Sequence, residues 1–322
     1  MLSFEAPILE LETKIDEIKK LDMLNDAASQ EALAELEKKL EKTRSEIYRR
    51  LTPIQRTEVA RHPSRPYTLD YVKYIFKDFV ELRGDRYFAD DPAIVGGFAK
   101  FDGNQVMIIG HQKGHNAREN ALRNFGMAKP EGYRKAVRLF KLAEKFRRPV
   151  ITFVDTSGAY PGVDAEERGQ AEAIAKALFT MSLLKTPILT VITGEGGSGG
   201  ALGIAMGNKV LMLENAVYSV ISPEGCASIL WGANRDDAAK SKEYAAKAAE
   251  ALKSTAAELY KLNVIDEIIE EPPGGAHSDP MKTAANVGSA IRKYLPELMA
   301  LSPEEAAGSR YKKFRAMGVF AS

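Results

Sequence analysis

The sequence predicts an α/β domain whose strands are covered on both sides, preceded by a helical hairpin and closed by C-terminal helices. Two observations carry this reading. Short apolar strand segments alternate with helical ones through most of the chain. Near-continuous apolar strands of this kind belong to parallel sheets buried on both faces. Twice, moreover, an apolar strand runs into a glycine-rich turn and then a helix. The first copy is Pro149-Val-Ile-Thr-Phe-Val-Asp-Thr-Ser-Gly158-Ala-Tyr-Pro-Gly162, and the second is Pro187-Ile-Leu-Thr-Val-Ile-Thr-Gly194-Glu-Gly-Gly-Ser-Gly-Gly200.

The elements follow in order. Ile8, Leu11, Ile15 and Ile18 repeat at helical spacing. Leu33, Leu36, Leu40 and Ile47 resume the stripe after a break at Asn25-Asp26. The stripe is narrow, nearly a coiled-coil seam, so segment 8–51 reads as an antiparallel hairpin closing on itself or on another subunit. Residues 1–55 form this unit and 56–322 the main domain. In the body, 94–101 and 105–110 read as strands joined at Asp102-Gly103, a hairpin turn signal. Tyr133, Val137, Phe140 and Ala143 mark a helix that Pro149 stops. Asp164 is expected to cap the next helix, running to about Leu184. Then come strand 188–193, a short helix from Gly199 and strand 209–213. Ser222-Pro223-Glu224 opens another helix, a long helix covers about 236–262, and strand 264–269 follows. The last of two terminal helices opens with the capping box Ser302-Pro-Glu-Glu305.

Composition narrows the class. With 45 basic and 44 acidic residues the formal charge is +1, which gives no electrostatic reason to expect nucleic acid as the main partner. The single cysteine, Cys226, allows no internal disulfide and suggests a reducing compartment; it reads as a buried small residue. No apolar run reaches the roughly 20 residues a bilayer needs. The start of the chain lacks a signal-peptide pattern, so cytoplasm is the expectation. The four histidines, His62, His111, His115 and His277, form no zinc pattern with one cysteine, and no metal is expected. Neither a nucleophile elbow nor a Walker A loop is present.

The glycine turns are the chemical signal. Glycine lets a ligand approach the backbone closely, and a helix start adds unpaired N–H groups and a positive dipole end. Two such turns side by side suit a developing negative charge on phosphate or an enolate oxygen. Gly194-Glu-Gly196-Gly-Ser-Gly199 also matches the dinucleotide fingerprint, with Glu214 at the end of the next strand. Earlier strands and a short following helix weigh against that use, and Glu214 reads as a strand-end charge facing water. Gly199 and Gly200 instead fit an oxyanion hole, with Gly196, Gly197 and Ser198 as the turn that presents them. Gly158 and Ala159 would line the same pocket. His111 or Lys113, at a third strand end, could meet an anionic ligand or sit in a solvated loop. The run 124–134 carries no derivable chemistry.

At this point the chain resembles the α subunits of bacterial acetyl-CoA carboxylase carboxyltransferase over nearly its whole length. The carrying stretches include Arg61-His-Pro-Ser-Arg-Pro-Tyr67, Asn124-Phe-Gly-Met127, Pro130-Glu-Gly-Tyr-Arg-Lys-Ala136, Asp155-Thr-Ser-Gly-Ala-Tyr-Pro-Gly162, Gly194-Glu-Gly-Gly-Ser-Gly-Gly200 and Ser222-Pro-Glu-Gly-Cys-Ala-Ser-Ile-Leu-Trp231. Ser157 stands where the family often has proline. The resemblance implies a crotonase-like fold (the ClpP/crotonase class) of superhelical β-β-α repeats. It implies transfer of a carboxyl group from carboxybiotin on a biotin carboxyl carrier protein to acetyl-CoA, giving malonyl-CoA for fatty acid synthesis. It also implies a β subunit with a zinc ribbon, a biotin carboxylase, and an α2β2 heterotetramer with the active site between α and β. Gly199 and Gly200 match the pair that holds the biotin ureido oxygen, the substrate itself supplying the base. The alternative is a stand-alone crotonase-like acyl-CoA hydratase or isomerase. It needs a carboxylate pair, for which Glu166, Glu167 and Glu195 are the candidates.

Overall fold

The computed structural model describes residues 2–20, 27–232 and 238–318; the break expected at Asn25-Asp26 lies outside them. Helices α1 (Ala6–Lys20) and α2 (Ala27–Arg49) form the N-terminal hairpin. Lys19–Glu37 and Arg44–Glu12 ion pairs lace its two arms antiparallel. Ile8, Tyr48 and Leu51 form a small apolar cluster with Val59 of α3 (Pro53–Ala60), separate from the main core. The hairpin therefore packs on itself along its length and meets the body at its open end.

Strands β1 (Lys77–Glu81), β2 (Ile94–Phe101), β3 (Asn104–His111), β4 (Val150–Thr156), β5 (Ile188–Gly197) and β6 (Lys209–Leu213) lie side by side in chain order. Strand β7 (Val217–Ser219) pairs with the far end of β5, and β8 (Glu267–Ile269) completes the sheet beside β6. The first three strands are antiparallel and the remaining pairings parallel. The β2–β3 turn falls at Asp102 and Gly103, both at positive φ (46° and 83°), as a tight hairpin requires. Every residue of β4 and β5 is buried, so these strands are covered on both faces. Strand β1 was not expected. Its Lys-Asp-Phe-Val-Glu sequence is short and largely solvated at the sheet edge, so it carries no apolar run.

Helix α4 (Thr68–Ile75) precedes β1, and α5 (Ala117–Leu122) follows β3. Helix α6 (Pro130–Lys145) packs on β2 and β3. The helix expected from Asp164 to Leu184 is two: α7 (Val163–Glu167) and α8 (Gln170–Leu183). Gly169, at φ 81°, separates them, since a left-handed residue ends a helix. Its cap is Gly162; Asp164 lies in the first turn and pairs with Lys129 at 2.9 Å. Helix α9 (Ser198–Ala205) packs on β4 and β5, and α10 (Pro223–Trp231) opens at the Ser222 cap. The long helix expected over 236–262 divides into α11 (Ala238–Leu252) and α12 (Ala256–Lys261). Between them Lys253 takes φ 52° and Thr255 bridges to Val217. Helix α13 (Pro280–Met299) packs on α4, β5 and β8, and α14 (Pro303–Arg315) begins at the Ser302/Glu305 capping box.

Candidate active site

Strands β4 and β5 run in step from Val150↔Ile188 to Val154↔Ile192, then shift so that Thr156 faces Gly196. The shift is where Asp155 turns in. A methyl group on Gly194 would lie 2.5 Å from the Asp155 carboxylate, so only glycine fits. Strand β5 then continues, with Glu195, Gly196 and Gly197 pairing β7. This corrects the sequence reading. Gly196 and Gly197 are strand residues, made glycine by the Tyr218 ring and the Ser157 carbonyl, which a methyl would approach to 2.9 and 2.2 Å. The dinucleotide reading fails with it, since there is no glycine-rich turn to cradle a pyrophosphate. Glu214 is also not a water-facing charge; it is half-buried, and burial raises its pKa.

The turn proper is a single residue, Ser198, exposed and at φ 55°. Helix α9 begins there with no side chain capping it. The N–H groups of Ser198, Gly199 and Gly200 occupy its first turn, where a helix offers no carbonyl of its own. Gly200 is pressed against the other turn: a methyl there would lie 2.4 Å from both the Gly158 carbonyl carbon and the Ala159 nitrogen. Gly199 is different. It is half-exposed, and a methyl on it would meet only Ile174, at 3.8 Å. Among the described residues no packing requires glycine at 199.

Segment 157–162 is the facing wall. The Thr156 hydroxyl accepts the Gly158 N–H at 3.1 Å and donates to the Gly158 carbonyl at 2.7 Å. The Gly158 amide is therefore engaged, whereas the Ala159 N–H has no acceptor among the described residues. The Tyr160 N–H donates to the Ala128 carbonyl, and Gln170 Nε2 donates to the carbonyls of Ala128 and Tyr160. The wall is thus tied to the segment that opens α6. Beside Ser198 a 160 Å³ apolar recess is lined by Leu202, Tyr218, Val220, Leu259 and Val264.

Charged groups brace the strand ends from below. Lys113 Nζ donates to Asp155 Oδ1 at 2.6 Å, and the same oxygen accepts the Glu195 N–H at 3.0 Å. Arg61 Nη2 donates to Glu195 at 2.7 Å and Arg61 Nη1 to Glu224 at 2.8 Å. Burial works against the Arg61 charge, but its hydrogen bonds to Glu224 and Glu195 hold its pKa above the usual range. Arg65 and Glu271 form a fully buried pair at 2.7 Å, and Arg65 Nη2 also donates to the Thr193 carbonyl at 2.8 Å.

His111 and Lys113 are engaged within the fold rather than presented at an open surface. His111 is wholly buried. Burial, helped by the Lys113 ammonium, pushes its pKa down to about 3 despite the nearby carbonyls of Gly200 and Phe153. Neither ring nitrogen has a partner in hydrogen-bond geometry among the described residues. Lys113 is held by Asp155. His111 closes β3 at the level of Val154, short of the end of β4, and Lys113 follows two residues later. The carboxylates a hydratase would need are likewise not assembled. Glu195 is clamped by Arg61, and Glu166 and Glu167 are exposed on α7. The sequence reading names Arg61, Arg65 and Tyr133 but gives them no role at the site. Only their tertiary partners reveal one; Glu271 lies far along the chain from Arg65.

The described residues include no cluster arranged to hold a metal ion and no helix long and apolar enough to cross a membrane. What the site offers is first-turn amides, an open glycine and a braced wall. It can stabilise charge on an oxygen, and among the described residues it shows no free side-chain base.

A family model described as acetyl co-enzyme A carboxylase carboxyltransferase-like matches residues 1–318. A Geobacter metallireducens protein called acetyl-coenzyme A carboxylase carboxyl transferase subunit alpha is 57% identical over 99% of this chain and 98% of its own length. A Thermus thermophilus protein of the same description is 55% identical over 99% of both. Among solved structures, the transcarboxylase 12S core with methylmalonyl-coenzyme A bound superposes with a TM-score of 0.58 at 21% identity, over 72% of this chain and 42% of that one. The beta subunit of P. aeruginosa geranyl-CoA carboxylase gives 0.55 at 18% identity, over 80% of this chain and 46% of that one. This chain thus spans less than half of either solved chain, and at these identities the likeness is one of fold.

Proposed function

The chain belongs to the acetyl-CoA carboxylase carboxyltransferase family, and we propose that the junction of β5 with α9 is where it acts on the carboxyl donor. It is the α subunit of a carboxyl transferase, and its fold is the crotonase-like α/β architecture. The donor is biotin carried on a carrier protein, and the product is malonyl-CoA. When bound, carboxybiotin supplies the carboxyl group and a ureido oxygen on which charge gathers as that group departs. A planar ureido group would lie on the open face at Gly199, where a methyl would have only ordinary contact with Ile174, at 3.8 Å, among the described residues.

The N–H groups of Gly199 and Gly200 donate to that oxygen. Such a donor contributes about 2.7–4 kcal/mol to lowering a barrier when it is already aimed. The Gly158–Ala159 wall holds Gly200 from behind and excludes water from that side. Among the described residues no free carboxylate or imidazole stands over the amides, and in this reading the proton removed from acetyl-CoA goes to the departing biotin itself. The β subunit provides the matching site for the thioester oxygen and, with the zinc ribbon expected of it, completes the pocket in an α2β2 assembly. The carrier protein and biotin carboxylase deliver and recharge the donor.

The observation that carries this reading is Gly199, a glycine that the packing does not demand, beside uncapped amides. Malonyl-CoA decarboxylation with free biotin tests it. The chain alone is expected to be inactive and the α–β complex active. Full activity from the α chain alone would overturn it.

A further inference from the structure

Two consecutive glycines make a soft start for a helix, since each costs about 1 kcal/mol of helix stability relative to alanine. Oxyanion donors act only if their dipoles are already fixed. Something must therefore hold Gly199 and Gly200 in place. The wall at Gly158–Ala159 covers one side of Gly200. On another, Tyr133 of α6 donates its hydroxyl to the Gly200 carbonyl at 3.2 Å. Tyr133 is fully buried, and its ring presses on the next turn of α9: a methyl at Gly203 would lie 2.6 Å from it. Gly203 is thus bare so that the phenol can reach Gly200. His111, with neither ring nitrogen partnered among the described residues, sits beneath the same turn near the Gly200 carbonyl.

We propose that Tyr133 is a positioning residue for carboxyl transfer, its hydroxyl fixing the peptide plane after Gly200 so that the Gly199 and Gly200 amides stay aimed. This assigns a task to the 124–134 run, and it rests on the reading of those amides as the oxyanion site. Tyr133 is fully buried and presents no surface to a substrate. It acts through the backbone, so its loss should change turnover more than binding.

The test uses the α–β complex. Tyr133→Phe keeps the ring and removes only the hydroxyl. Assembly and thermal midpoint are expected to hold and KM for malonyl-CoA to stay within about twofold, while kcat falls roughly ten- to a hundredfold, as misplaced catalytic groups do. Gly203→Ala, which pushes the ring away, should give a similar kcat loss. The Tyr133→Phe/Gly203→Ala double variant should then fall far short of the product of the two losses. Unchanged kcat in a stable Tyr133→Phe complex would overturn the proposal, as would losses that simply multiply. Gly199→Ala, assayed in parallel, separates the two readings. If it is silent, the oxyanion assignment itself fails; if it is damaging while Tyr133→Phe is silent, only the positioning role fails.

Discussion

The backbone of Gly200 rests on that of Gly158: a methyl on Gly200 would come within 2.4 Å of the Gly158 carbonyl carbon. The ends of β4 and β5 are therefore locked to each other by bare backbone, and the two turns behave as one unit. Its neighbour Gly199 has no such contact. Chemically similar glycines, adjacent in sequence, thus answer to different constraints, one to packing and the other to approach from outside.

That difference predicts opposite behaviour on substitution. Gly200→Ala forces backbone apart and should destabilise the chain by about 1–3 kcal/mol, as overpacking does. Gly199→Ala should fold normally, even gaining a few tenths of a kcal/mol from helix propensity. Its methyl would nevertheless crowd the amides, and carboxyl transfer should drop roughly tenfold or more. Thermal melts and steady-state kinetics on the two α–β complexes check this. Wild-type turnover in Gly199→Ala would remove the ligand role from that position.

What was legible in sequence was what is local. The spacing of Tyr133, Val137 and Phe140, the Ser222 and Ser302 caps and the apolar runs of β4 and β5 each report short-range physics, and each became the expected element. The errors came where a local sign had a distant cause. Gly194, Gly196 and Gly197 look like a turn, but they are glycine because Asp155, Tyr218 and Ser157 press on a strand. Lys113 reads as an anion ligand or a solvated loop residue, and it is held instead by Asp155 of β4. The break at Gly169 needed φ 81°, which spacing does not encode.

The Arg65–Glu271 pair is expected to be a strong stability determinant. Both side chains are fully buried, and Glu271 also accepts the N–H groups of Asn215 and Ala276 at 3.0 and 2.7 Å. Removing one member strands the other charge in the core. Glu271→Ala should therefore cost about 3–5 kcal/mol in urea unfolding. Because Arg65 also holds the Thr193 carbonyl, activity near the midpoint should be lost earlier as well. Unfolding of Glu271→Ala at the wild-type urea concentration would show that the pair is not a strong stability determinant. Arg65→Met combined with Glu271→Leu, which removes both charges, should recover part of the loss.

His111 should make stability depend on pH. Its folded pKa is pushed down to about 3, against 6.5 when solvated. Between those values the unfolded chain binds a proton that the folded chain refuses, so acid favours unfolding. The destabilisation begins as pH falls through about 6.5 and grows by up to roughly 1.4 kcal/mol per pH unit until about 3; above 6.5 the group contributes no pH dependence. His277, lowered to about 4 by burial and by His62, adds a second dependence of the same sign over a shorter window. Acid protonation of Glu271, whose charge Arg65 favours, acts in the same direction at lower pH. The His111 share can be isolated by comparing slopes. In urea unfolding of wild type and His111→Leu at pH 7.5, 6.0, 5.5 and 5.0, the wild type should lose stability relative to the variant as pH falls below about 6.5, because the variant lacks the group that titrates. Parallel pH dependences would mean that the imidazole is not held neutral beneath Gly200, and the account of the buried floor would have to change.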